Sequence, residues 1–230
     1  MNIGLISDIH GNHIALEKVL SALKHKVELI FFLGDLVGYY PFVNECADLL
    51  DSHRIIGVLG NHDNVLLNCI EQGSAPGIEY NDAYGTALER ARKSLSIKSL
   101  ALLKSLPVQR RTSLESTRIA MFHGAPWAPL EERIYPDFAN WSLFDSSLDD
   151  IILLGHTHYP MVKHWKGRLI VNPGSVGQPR NAAGVACYGE LDLKSGKVTL
   201  HQVEYDADLI IRDALINNPD KPYLTEVLGR

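Results

Sequence analysis

Short apolar runs alternate with helix-spaced apolar stripes along the chain. Ile3 to Ile6 is a compact apolar run, and Leu16, Val19, Leu20, Leu23 and Val27 then recur at the spacing of an amphipathic helix. Leu29 to Leu33 is a second run, Asn44 to His53 a second helix, and Ile55 to Leu59 a third run. This βαβαβ rhythm predicts parallel strands with helices packed on both faces. Residues 64–106 read as helical. Tyr84, Leu88, Ala91 and Leu95 form one stripe, a second helix ends at Pro107, and Gly73 to Gly77 break the section as a surface loop. Thr117 to Phe122, Asp150 to Leu154 and Arg168 to Val171 predict three further strands. Val185 to Tyr205 predicts a hairpin turning at Ser195-Gly196, and a last helix covers about 207–217. The expected organisation is one domain over 1–230, with 64–106 as a helical insertion and 206–230 as a C-terminal helix and tail.

Six of these runs end in residues capable of chemistry. The endings are Asp8 with His10, Gly34-Asp35, Gly60-Asn61-His62-Asp63, His123-Gly124, Gly155-His156-Thr157-His158 and Asn172-Pro173-Gly174-Ser175. In an open α/β sheet, ligands bind beyond the carboxyl ends of the strands. Taken singly, Asp8 reads as a helix cap, Asp35 as a turn residue, Asn61 as a cap and His123 as a structural histidine. The pair His156 and His158 is less ordinary, because two imidazoles two residues apart after a buried run suit a metal. Independent turns would not place these residue types at the ends of successive strands, so the joint pattern points to a metal site. The set contains no cysteine and mixes imidazole, carboxylate and amide oxygen, which suits Mn, Fe, Zn or Ni at a hydrolytic site. It is too large for one tetrahedral ion and fits two divalent ions sharing a carboxylate. Such a pair can clamp the attacking and leaving oxygens of a phosphoryl displacement.

Composition narrows the partners. The chain has 230 residues and a formal charge of −5. Mild acidity and the absence of a basic tail argue against a polymeric nucleic-acid partner, while a small anion can still be held by a locally positive site. Cys46, Cys69 and Cys187 are scattered and odd in number, so no disulfide framework is implied and reduced thiols are expected. The N-terminus lacks a basic region followed by a long apolar one, and no run reaches the roughly 18 to 20 apolar residues of a membrane span. These features predict a cytoplasmic location and no membrane partner; a homo-oligomer is left open.

The order of the motifs carries a resemblance. Asp8-Ile9-His10, Gly34-Asp35, Gly60-Asn61-His62-Asp63, a later His123 and Gly155-His156-Thr157-His158 resemble the calcineurin-like metallophosphoesterase superfamily. Gly34 to Glu45 and Asn172 to Arg180 make the chain most similar to its small single-domain bacterial and archaeal phosphodiesterases, over about residues 1–205. The resemblance implies an α/β fold, a four-layer α-β-β-α sandwich of two mixed sheets flanked by helices. It implies that Asp8, His10 and His158 bind one metal, that Asn61, His123 and His156 bind another, and that Asp35 bridges them. It further implies His62 as general acid or phosphate ligand, with Asp63 orienting it. The activity implied is in-line attack on phosphorus by a metal-bridging hydroxide, without a covalent enzyme intermediate. The substrate implied is a small phosphate ester, with a nucleotide among the candidates.

Departures from relatives refine this. Protein Ser/Thr phosphatases of the superfamily carry arginines after the Gly-Asp motif and before the Gly-Asn-His motif, where this chain has Gly38-Tyr39 and Leu59. That argues against a protein phosphatase; the complete ligand set with His62 leads to a phosphodiesterase as the expectation, with a phosphomonoesterase as the alternative. Some relatives, including a retromer subunit, act as protein-binding scaffolds; they tend to lose ligands or the catalytic histidine, and this chain keeps them all. Tyr40 stands where the subgroup has Gly, and is read as a substrate-stacking or packing residue. Arg180 is expected to touch substrate or phosphate. Lys163, Lys166 and Arg168 flank the site on an expected hairpin, with a solvated face as the default reading.

Overall fold

The computed structural model describes residues 1–229, so Arg230 of the expected tail lies outside the described residues. β1 (Asn2–Ile6), α1 (His13–Leu23), β2 (Leu29–Phe32), α2 (Val43–Asp51) and β3 (Ile55–Gly57) form the anticipated parallel unit. β9 (Val185–Asp192) and β10 (Lys197–Glu204) form the hairpin and extend this sheet antiparallel to β1, giving the order β10-β9-β1-β2-β3.

A second sheet follows. β4 (Gln109–Leu114), β5 (Thr117–Phe122), β6 (Ile151–Leu153), β7 (Pro160–Trp165) and β8 (Arg168–Pro173) lie in the order β4-β5-β6-β8-β7, with β5, β6 and β8 parallel. The two mixed sheets pack face to face. Ile3, Leu5, Phe31 and Leu33 of the first meet Ile119, Met121, Leu153 and Val171 of the second in a fully buried layer. The expectation of helices on both faces of one sheet is therefore corrected: each sheet buries one face on the other. The period of two decides this. Ile3 and Leu5 point between the sheets, while Ile6 of the same strand points to the helices.

Helices cover the outer face of the first sheet. The outer face of the second is covered by Ile134, Trp141 and Phe144 from an irregular segment with one short 3-10 turn. Between β3 and β4 lie α3 (Asn61–Glu71), α4 (Ile78–Tyr84), α5 (Ala87–Ser94) and α6 (Ile97–Ser105). The stripe read through Tyr84, Leu88, Ala91 and Leu95 is broken at Gly85, so Tyr84 ends one helix while Leu88 and Ala91 begin another. α7 (Asp208–Asn217) and α8 (Tyr223–Glu226) close the chain over Tyr39 and Tyr40.

Phe31 is wholly buried between the sheets. Phe31→Ala is expected to cost about 3–5 kcal/mol, because the rigid inter-sheet layer cannot collapse into the void. Urea unfolding should show a lower midpoint at an unchanged slope.

Candidate metal centre

The parallel strands of both sheets end at one rim, and the residues beyond them turn sharply. Asp8, His10, Asp35, His156 and His158 all have positive φ, between 52° and 68°. Such left-handed backbone costs about 1–3 kcal/mol per non-glycine residue and persists only where the surroundings impose it. Here the turns lock one another. Asp8 N donates to Gly34 O at 2.9 Å, Ile9 N and His10 N donate to Asp35 O, and Ser175 Oγ donates to Asp8 O at 2.7 Å. Two glycines are demanded by close approach. A Cβ on Gly60 would lie 2.1 Å from Asp35 Oδ1, and one on Gly38, itself at φ +142°, would lie 2.5 Å from His10 Nδ1.

The side chains converge. Asp8, His10 and His158 offer ligand atoms within 4.8 Å of one another, as do Asp35, His123 and His156, and His10, Asp35 and His62. His123 Nε2 lies 3.2 Å from Asp35 Oδ2 and 3.0 Å from Asn61 Oδ1. The carbonyls of Val37, Leu33 and Gln178 sit 2.9, 2.7 and 2.6 Å from the Nδ1 atoms of His10, His123 and His158. A carbonyl can only accept, so each Nδ1 carries hydrogen and a neutral ring turns an Nε2 lone pair inward. His10 Nε2 and His158 Nε2 then face each other at 3.1 Å, an arrangement that suits a shared cation.

Two further observations fit metal ions. Asp8 Oδ1, Asp35 Oδ2 and His156 Nε2 are buried without a hydrogen-bond partner, a costly state unless a cation completes them. The electrostatics are those of a cluster short of positive charge. Burial pushes Asp8 up to about 7. Burial also pushes Asp35 up, but the nearby His123 and His62 outweigh it and hold Asp35 well below the carboxylate range. Burial lowers His10 and His156 to about 3. It opposes the charge on His123 too, yet Asp35 and Asp8 raise that ring to about 9.

The neighbours of the cluster are less as expected. The Asp63 carboxylate makes no hydrogen bond to the His62 ring. It accepts from the backbone amides of Asp35, Gly60 and Val37 at 2.9, 3.0 and 3.0 Å, tying the start of α3 to the Asp35 turn. His62 Nδ1 meets the hydroxyl of Tyr80 instead. Tyr40 is 1% exposed, packs against α7 and α8, and donates to Leu224 O at 2.9 Å, so the stacking alternative for it is corrected to packing. Its neighbour Tyr39 faces the site, with its ring 4.6 Å from His10 and its hydroxyl accepting from Arg180 Nη2 at 3.2 Å. Arg180 itself is exposed.

Asn172 braces the His156-His158 loop by donating to Gly155 O and Thr157 Oγ1. The turn joining β7 and β8 lies at the end of those strands away from the rim, so Lys166 and Arg168 do not flank the site; they contact Asp145 and Ser147. Lys163 lies over the Trp141 ring. Sequence reasoning missed Tyr39, Tyr80 and Tyr84 beside His62, and Arg133, whose charge acts on His62 and His156. Tyrosines at helical spacing read as core, and nothing local marks Arg133.

Fold and site together define an α/β protein with a buried carboxylate and imidazole cluster where the two sheets end. The chain belongs to the calcineurin-like phosphoesterase superfamily, whose domain model matches residues 1–196. An uncharacterized protein of Methanocaldococcus jannaschii is 33% identical over 222 residues, covering 89% of this chain and 88% of that protein. The crystal structure of a metallophosphoesterase from Sphaerobacter thermophilus is 31% identical with a TM-score of 0.75, covering 100% of this chain and 98% of that one. A hypothetical protein from Pyrococcus horikoshii shares the fold at 22% identity and a TM-score of 0.81, over 99% and 97% of the two chains. Among the described residues no helix is long and apolar enough to cross a membrane, and Cys46, Cys69 and Cys187 are free and buried.

Proposed function

We propose that this protein is a metal-dependent phosphohydrolase acting on small phosphate esters, nucleotides among them, with diesters preferred to monoesters. The observation that carries the reading is the convergence of three buried, unpartnered atoms, Asp8 Oδ1, Asp35 Oδ2 and His156 Nε2. Two divalent ions (Mn, Fe, Ni or Zn) suit the donor set. Asp8, His10 and His158 would hold one, Asn61, His123 and His156 the other, and Asp35 both. When bound, such ions polarise phosphoryl oxygens and make a water nucleophilic near neutral pH.

The chain's own residues do the rest. The carbonyls behind His10, His123 and His158 hold each Nδ1–H, so each ring, once neutral, aims its Nε2 lone pair inward, and His123 gives up its second proton when a metal takes its place. His62 turns Nε2 toward the cluster, 4.0 Å from Asp35 Oδ2, where it can hold a phosphoryl oxygen or pass a proton to the leaving oxygen. Arg180 adds positive charge beside Tyr39. The forked arginines of protein phosphatases are replaced by Gly38-Tyr39 and Leu59. The site is less positive for it, which suits a singly charged diester better than a doubly charged monoester.

A panel of mono- and diesters assayed with Mn, Ni, Co, Mg and Zn tests the reading; diester turnover that depends on added metal is expected. His62→Ala should lower kcat on a chromogenic diester by about a hundredfold or more, the scale of a lost proton-transfer or phosphate-holding group. Unchanged turnover in folded His62→Ala protein would remove His62 from the chemistry.

A further inference from the structure

We propose that Tyr80 is the positioning residue for His62: its hydroxyl donates to Nδ1, so the ring keeps its proton on Nε2 and presents an N–H to the phosphoryl group. The inference deepens the phosphohydrolase reading and rests on it for the role of His62. Its structural content stands separately.

The geometry begins with Asp63, the residue the motif offers as partner. All three hydrogen bonds its carboxylate makes go to backbone amides of the Asp35 turn and the start of α3. His62 Nδ1 is left to Tyr80, which arrives from the insertion. α4 is held in place to deliver it. Tyr223 donates to Ala83 O at 2.7 Å, and Thr86 N, just past the helix, donates to Asn218 Oδ1 at 2.7 Å. The imidazole is walled by rings, with Tyr84 at 4.7 Å, His10 at 5.2 Å, Tyr39 at 5.5 Å and Tyr80 at 5.5 Å between centroids. A ring so enclosed keeps one orientation.

The direction of the hydrogen bond follows from the other nitrogen. His62 Nε2 faces the cluster, 4.0 Å from Asp35 Oδ2, at the place where a phosphoryl oxygen would be held. A proton on Nε2 is favoured by a phosphoryl oxygen placed there. Nδ1 is then bare and must accept. A carboxylate partner could only accept and would force the proton onto Nδ1, whereas a phenol can donate. Tyr80 in place of Asp63 therefore selects the opposite tautomer. His62 then acts as a neutral hydrogen-bond donor to the phosphoryl group, and the insertion becomes part of the site's machinery.

Two-bond proton–nitrogen spectra of histidine-labelled, zinc-loaded protein test this, with the His62 signals assigned by their loss in His62→Ala. The expected wild-type pattern has a protonated Nε2 and an unprotonated Nδ1. Tyr80→Phe should convert it to a mixture of tautomers. It should also lower kcat/KM on a diester by about ten- to a hundredfold, the range for losing a group that orients an imidazole, at unchanged zinc content. In a His62→Ala background the same substitution should change turnover by less than about twofold, because the two residues act as one unit. A wild-type Nδ1–H, or a His62 spectrum untouched in Tyr80→Phe, overturns the proposal. The wild-type spectrum decides the tautomer even if the variant fails to fold. It needs no turnover, so a chain that hydrolyses nothing would end the functional reading and still leave this one decided.

Discussion

Asp35→Asn is expected to remove nearly all phosphoester turnover while the fold stays in place. Asp35 sits at the centre of the cluster: Oδ1 accepts from His62 N at 2.9 Å, and Oδ2 lies 3.2 Å from His123, 3.8 Å from His10 and 4.0 Å from His62. Asparagine can keep the first bond, so the Asp35 turn and α3 should survive. The second oxygen becomes an NH₂ group that donates to a neighbouring imidazole and occupies the space a cation needs. On the proposed reading the carboxylate shared by two ions is lost, and with it a contribution of several kcal/mol from metal polarisation. That corresponds to a kcat lower by about a thousandfold or more. The check is turnover of a chromogenic diester, with circular dichroism to show that the variant folds. Turnover within about tenfold of wild type would mean that Asp35 is not the shared ligand.

Metal loading should have the second large effect, on stability. Without cations the native state buries three unpartnered polar atoms and holds five site residues at positive φ. Ions that bind only the native state offset those costs by mass action, about 4 kcal/mol at a thousandfold excess over Kd. For a chain of this size that raises Tm by about 8–16 °C. A thermal melt after chelation, repeated with increasing manganese, should show a Tm that climbs with concentration and falls back when chelator is added. Asp35→Asn should lose most of the climb. A Tm indifferent to manganese in the wild-type protein would speak against a built metal site.

Much of this was legible along the chain, and the reasons differ by residue. Asp8, His10, Asp35, Asn61, His123, His156 and His158 could be read as a set because each follows an apolar run, and parallel strands bring their ends to one rim. The reason they meet was not legible. Strand alternation places Asp8 and His10 on one side, but β1 ends at Ile6 and both residues lie in left-handed turns held by the Asp35 loop. That requires knowing which loop packs on which. The two face-to-face sheets were legible through the motif resemblance but not through periodicity, because a strand covered on both faces shows the same apolar run whether helices or a second sheet cover it.

What the sequence left undecided at Asp63 and at Tyr39 and Tyr40 is local. A carboxylate one residue from a histidine reads as its partner, yet at the start of a helix it is better placed to accept backbone amides. Adjacent tyrosines cannot be ranked by sequence when one points to the site and the other to α8. Tyr80 lies on a seven-residue helix whose position depends on the far end of the chain.

The most direct test titrates diester hydrolysis by metal-free protein against manganese equivalents, with bound metal measured on the same samples. The account predicts turnover that is absent at the start, rises with metal and levels off at about two ions per chain, as a paired centre requires. No turnover at any load, with less than about one ion retained per chain, would contradict it.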